Sequence, residues 1–134
     1  MMGNLDGLGY RNKTVVVTGA SSGMGEATAR ILGELGARVH VVDRKAPSIS
    51  HEHFYAMDLA EPDQVSATAA ALHKIGPIHF MFPCAGVPHT FGPVQCMLVN
   101  YIGTRQFIEA TLPAVENGGG IAIVASDAGM SWTL

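Results

Sequence analysis

Eight consecutive residues, Thr18-Gly19-Ala20-Ser21-Ser22-Gly23-Met24-Gly25, and an acid further along, Asp43, carry the clearest chemistry in the sequence. Glycines at this spacing suit the phosphates of a dinucleotide. Gly19 permits a tight turn, Gly23 lets the backbone approach a pyrophosphate closely, and Gly25 lets a helix pack close to the preceding strand. Ser21, Ser22 and Met24 complete the candidate cofactor-binding set in this turn. Asp43 can accept hydrogen bonds from ribose hydroxyls and would repel a ribose 2′-phosphate, so NAD is expected rather than NADP. Arg44, with Lys45 next to it, weakens that preference without reversing it.

These residues need a strand before them and a helix after them. The run Val15-Val16-Val17 is apolar and β-branched, as a buried parallel strand should be. From Met24 onward the pattern is helical. Met24, Thr28, Ile31 and Leu35 are expected on one inward face, with Glu26 and Arg30 as an i,i+4 pair on another. Gly36 stands at the expected helix stop. A second strand, 38–42, then delivers Asp43. A helix N-terminus placed this way offers unpaired N–H groups and partial positive charge to phosphates.

The rest of the chain repeats the alternation. Residues 44–52 read as a loop, 53–57 as a short strand closed by Asp58-Leu59, and Pro62 opens a helix striped by Val65, Ala69 and Leu72. His51 and His53 have no third ligand at a recognisable spacing, so no metal site is expected. Residues 78–82 form the next strand, leading into Pro83-Cys84-Ala85-Gly86. A long helix is expected over 94–115, buried through Leu98, Ile102, Ile108, Leu112 and Val115. Residues 121–125 form a buried fifth strand, followed by Ser126. Strands alternating with helices imply a Rossmann-type, doubly wound α/β parallel sheet of order 3-2-1-4-5. Gly19, Asp43, Asp58, Cys84, Ala85, Gly86 and Ser126 all follow strands, and therefore converge on one sheet edge. His89, Met130 and Trp132 are candidates for a substrate pocket by their location in loops at that edge.

The bulk numbers bound the partners. The chain has 134 residues, 48% hydrophobic and 14% charged, which describes one globular domain. A net charge of −3 leaves no basic footprint for nucleic acid or an anionic membrane. No run approaches the roughly 18 apolar residues of a membrane span. Residues 1–12 lack the apolar core of a secretion signal and read as a short disordered arm. Two cysteines suit a reducing cytoplasm.

On these motifs the sequence resembles the classical short-chain dehydrogenase/reductase family over residues 13–129. Thr18-Gly19 with Gly23 and Gly25 is that family's cofactor motif, Asp43 its NAD determinant, and Asp58-Leu59 the pair at the adenine. Cys84-Ala85-Gly86 stands where the family usually has Asn-Ala-Gly. The short loop before Val99-Asn100-Tyr101 is similar to the bacterial 3α-hydroxysteroid dehydrogenase/carbonyl reductase branch. The resemblance implies hydride transfer between NAD and a small-molecule alcohol or ketone. It gives Ser126 and Asn100 catalytic roles, and it implies a homodimer or homotetramer in the full-length form.

One feature of that family is missing. Its catalytic tyrosine is followed four residues later by lysine. Here Tyr10 is followed by Thr14, Tyr55 by Leu59 and Tyr101 by Arg105. Arginine keeps its proton and has a different geometry from lysine, so Tyr101 reads as structural. The chain is therefore expected to be the N-terminal part of a longer enzyme, truncated after the fifth strand and active only with a C-terminal part. The competing expectation is a non-catalytic NAD(H)-binding module or redox sensor.

Overall fold

The computed structural model describes residues 8–133, with side chains up to Met130. In chain order it forms β1 (Thr14–Thr18), α1 (Gly23–Glu34), β2 (Arg38–Asp43), β3 (His53–Ala56), α2 (Pro62–His73) and β4 (Ile78–Pro83). A composite long helix and β5 (Val115–Ile121) follow. The long helix is α3 (Pro93–Cys96), a π-helical segment (Met97–Gly103) and α4 (Thr104–Thr111) in direct succession. All strand pairs are parallel, in the order β3-β2-β1-β4-β5. The doubly wound order expected from the sequence is therefore the order observed. Residues 44–52 join β2 to β3 with no helix between them.

The sheet is apolar on both faces because successive side chains alternate. Val15, Val17, Val39 and Val41 pack with Ala29 and Leu32 of α1. Val16, Val42 and Met81 face the other way, onto Val65 and Leu72 of α2 and Val99 and Phe107 of the long helix. The end of the N-terminal arm belongs to this body rather than to a free tail. Tyr10 meets Phe80 edge-on at 5.2 Å between ring centroids, and Asn12 N donates to Gly36 O at 2.8 Å.

The expectations for α1, the long helix and β5 are corrected. Along α1 the buried residues are Gly25, Ala29 and Leu32, whereas Met24 and Ile31 are 66% and 43% exposed. Small residues let this helix approach the sheet more closely than a stripe of large ones would. Arg30 pairs with Glu34, at 3.7 Å, rather than with Glu26. In the long helix the buried positions are Val99, Gly103, Phe107 and Thr111, four apart, while Ile102 and Leu112 are exposed.

The third correction concerns β5. It begins at Val115, inside the expected helix end, and takes in the Asn117-Gly118-Gly119-Gly120 run. The glycines allow this by bulging past β4. A Cβ on Gly119 would stand 2.5 Å from His79 O, and the register jumps between Ile78 and Phe80. His79 ties the ends together, accepting from Thr14 N at 3.0 Å and meeting Glu116 at 3.2 Å. Residues 122–124 still follow β4 through Ala122 N to Met81 O and Val124 N to Pro83 O. They are exposed rather than buried.

His40 gives the fold a pH dependence. It is buried on β2, stacked on Tyr55, and burial pushes its pKa below the usual 6.5. Glu52 opposes that shift, while His53 and Arg38 add to it. Between the two pKa values the unfolded chain binds more protons than the folded one. Stability is therefore full above about pH 6.5 and declines as pH falls below it. Urea midpoints measured from pH 7.5 to 5 are expected to drop, and His40→Gln should flatten that part of the curve.

Candidate active site

The connection reverses direction between β1 and β4. After β1 the chain builds outward through β2 and β3, then returns to the other side. Helices leave the two strands on opposite faces, so a crevice opens at their carboxyl ends. A cleft of about 560 Å³ lies there. Every residue assigned to a cofactor from the sequence lines it, from Gly19 to Gly25, then Asp43 and Arg44, Asp58 and Leu59, and Cys84 to Gly86. The lining also includes Val42, Met57, Val87 and Val99, apolar residues not assigned to the cofactor from the sequence.

The floor is made where two backbone turns touch. Gly19 has φ +72°, and a Cβ on it would stand 2.7 Å from Ala85 Cα. Ala85 N donates to the Thr18 hydroxyl at 3.1 Å, joining the end of β1 to the turn after β4. Cys84 is half-buried beside them. Burial pushes its thiol pKa up, a Thr28 hydroxyl hydrogen bond opposes this, and the group is a neutral thiol at pH 7.

The wall is the start of α1. Ser22 is its extended N-cap residue and makes no side-chain capping bond. Glu26 N bonds Ser22 O at 3.2 Å, so the amides before it are left to the cleft. A Cβ on Gly23 would meet nothing within 4 Å. A bare helix N-terminus, an open glycine and a cleft of this volume fit the pyrophosphate of a dinucleotide. Beside it, Asp43 Oδ2 accepts from both Ser21 N (2.9 Å) and Ser21 Oγ (2.8 Å), and Oδ1 accepts from Arg44 N at 2.6 Å. Asp58 Oδ1 accepts from Ala60 N at 2.9 Å.

Asn100 and Ser126 lie outside this lining. Asn100 Oδ1 accepts from Val87 N at 2.7 Å, and its Nδ2 donates to Val87 O at 2.9 Å. That reciprocal pair fixes the amide's orientation and clamps the loop after β4 to the π-helical segment. Thr104 Oγ1 bonds Val99 O, five residues back, at 2.9 Å, which suits the wide turn. Ser126 is exposed and bonded locally, to Asp127 at 3.4 Å and from Ala128 N at 3.2 Å. Tyr101 is 57% exposed on the outer helix face, where its neighbour Arg105 is held by Glu109 at 2.7 Å. His89 and Met130 are exposed, and the Trp132 side chain lies outside the described residues. Among the described residues no group of three His, Cys, Asp or Glu is placed to hold a metal. No helix among them is long and apolar enough to cross a membrane.

The clamp predicts a graded response. Asn100→Ala removes two hydrogen bonds to one backbone unit and should cost about 1–2 kcal/mol. Asn100→Asp keeps the bond from Val87 N but turns a carboxylate toward Val87 O, and should cost more. Hydrogen exchange at the Val87 amide, with urea midpoints, measures both.

A family model described as short chain dehydrogenase matches residues 13–133. The chain belongs to the short-chain dehydrogenase family. Members of this oxidoreductase family bind a nicotinamide cofactor and act on small molecules. Coniferyl-alcohol dehydrogenase of Pseudomonas sp. (strain HR199) is 40% identical over 121 residues, covering 90% of this chain and 47% of that protein. Dehydrogenase RED2 of Cochliobolus heterostrophus is 30% identical over 139 residues, covering 92% of this chain and 52% of that one. The ligand-free aldohexose dehydrogenase of Thermoplasma acidophilum superposes with a TM-score of 0.78 at 25% identity, covering 88% of this chain and 51% of that one. The chain spans about half the length of the curated relatives it matches.

Proposed function

We propose that this chain is the NAD(H)-binding part of an enzyme that moves a hydride between nicotinamide and a secondary alcohol or ketone, such as a hydroxysteroid or another carbonyl compound. The observation that carries the reading is the cleft at the strand switch, lined by the bare α1 N-terminus and by Asp43 beside it. The amides of α1 hold the pyrophosphate, and Asp43 takes the adenine ribose and favours NAD over NADP. Asp58 and Leu59 line the adenine end, while Cys84 to Gly86 present backbone and a neutral thiol. When bound, the nicotinamide supplies or accepts the hydride. Ser126, at the same sheet edge, donates a hydrogen bond to the substrate oxygen, and Asn100 holds the loop that borders both. Relatives named as coniferyl-alcohol and estradiol dehydrogenases support an alcohol substrate.

The tyrosine–lysine pair that would move the proton is not present in these 134 residues. Turnover is therefore assigned to a longer protein in which residues 13–134 form the cofactor domain behind an arm of residues 1–12. A cytoplasmic homodimer or homotetramer is the assembly we assign to it. The same missing pair favours the second reading, a non-catalytic NAD(H)-binding module or redox sensor. An NADH fluorescence titration of the chain tests the shared claim, and the absence of binding at millimolar NADH would remove both readings. A panel of alcohols and ketones presented to the longer protein separates them. Turnover selects the dehydrogenase, and binding without turnover selects the module.

A further inference from the structure

We propose that His79 is a proton-operated tie between strands. Neutral, its ring joins the start of β1 to the bulge of β5 across β4. Protonated, it lets go of β1 and is held by Glu116 alone. His79 stands at the start of β4, whereas the cleft opens at the strand ends, so the tie is independent of the dinucleotide reading. The two ring nitrogens have different partners. Thr14 N reaches Nδ1 at 3.0 Å, and Glu116 Oε2 lies 3.2 Å from Nε2. A backbone N–H only donates, so Nδ1 must carry a lone pair. An ionised carboxylate only accepts, so Nε2 must carry the proton. Together the two contacts specify one neutral tautomer. An imidazolium carries N–H on both nitrogens, and Nδ1–H would then face the Thr14 amide, donor against donor. The bond to Glu116 survives protonation and gains charge assistance. One proton therefore breaks one of the ring's two bonds and strengthens the other.

The surroundings suit this change of partner. The His79 side chain is 15% exposed and that of Glu116 48%, so solvent reaches the pair. Ile78 pairs with Val115 and Phe80 with Gly120, so residues 116–119 bulge opposite His79. Glu116 thus stands outside the paired register and can follow the ring without breaking the ladder. Charges from the neighbouring strands act in both directions. Glu116 on β5 favours the charged ring. Arg38 on β2, whose guanidinium holds the Thr14 hydroxyl at 3.1 Å, adds positive charge at that strand end and opposes it, as does Lys13 ahead of β1. From β1 the group that meets the ring is the Thr14 amide, and its bond is the one lost.

The test is nuclear magnetic resonance of the chain between about pH 8 and 5, the range over which histidine ordinarily changes charge. At the upper end, the ring nitrogen shifts should show His79 protonated on Nε2 and bare on Nδ1. On acidification, hydrogen-exchange protection of the Thr14 amide should fall by about fivefold relative to the Val16 amide in mid-β1, the worth of one ordinary hydrogen bond. Taking Val16 as reference cancels any loss of global stability, including the one assigned to His40. His79→Gln supplies an acceptor to Thr14 N and a donor to Glu116 without titrating, and should hold the ratio constant. A ring bare on Nε2 at the upper pH overturns the proposal, and so does a parent ratio that ignores pH. An equal fall in His79→Gln would assign the loosening to some other group and overturn it as well.

Discussion

Gly103→Ala is expected to lower the urea midpoint steeply, although it lies outside the cleft and adds one methyl group. A Cβ on Gly103 would stand 2.0 Å from Leu59 O and 2.9 Å from Leu98 O. Both obstacles are backbone, so no side chain can swing aside. Relief requires the long helix to back away from the segment after β3, taking Val99 and Phe107 out of the core they share with Leu59 and Val65. Alanine is favoured over glycine in a helix by up to about 1 kcal/mol. Overpacking a dense core typically costs about 1–3 kcal/mol, and a backbone clash belongs at or beyond the upper end. The clash wins, and a net loss of about 3 kcal/mol is a large share of a stability of roughly 5–15 kcal/mol. Gly33→Ala is the control. A Cβ there meets nothing within 4 Å on the exposed side of α1, so only the propensity gain remains. Urea midpoints should fall for Gly103→Ala and rise slightly for Gly33→Ala. An unchanged midpoint for Gly103→Ala would show that the helix is not seated as described.

The same residue shows why part of the architecture was illegible in the sequence. Hydropathy patterning finds faces by their large apolar side chains. It selects Met24, Ile31, Ile102 and Leu112, all of which are exposed. The faces that pack on the sheet are marked by Gly25, Ala29, Gly103 and Thr111, residues whose value is that they occupy little space. In α2 the stripe of Val65, Ala69 and Leu72 reads correctly. The Asn-Gly-Gly-Gly run misled for a related reason. Glycines usually interrupt structure, but here they let β5 bulge past His79. The cleft was far more legible than the faces. Its walls are strand ends and a helix start, and each is announced locally by a β-branched run and a change of period. The Asn100 clamp was not legible, because its partner at Val87 is identified only when the loop and the helix are placed together.

Gly25→Ala and Gly23→Ala, two residues apart in one turn, should fail in different ways. A Cβ on Gly25 would stand 2.1 Å from Gly19 O and 2.6 Å from Gly19 C. Gly19 cannot retreat, because it is already against Ala85 on its other side. Three backbone segments are stacked there without room for a methyl group. Gly25→Ala should therefore push α1 off the sheet, cost about 3 kcal/mol or more, and lose the cleft with the fold. Gly23 is the opposite case. A Cβ there meets nothing within 4 Å, and the only penalty in the free chain is its φ of +57°, about 1–2 kcal/mol for a residue with a side chain. Yet that empty space is where the proposed pyrophosphate would come against the backbone. Gly23→Ala should keep a cooperative urea transition at a slightly lower midpoint and lose NADH affinity by at least roughly tenfold. If Gly23→Ala binds NADH like the parent, the open space at the α1 N-terminus is not the phosphate site. If Gly25→Ala keeps both its midpoint and its affinity, close approach of helix to strand is not what shapes the cleft.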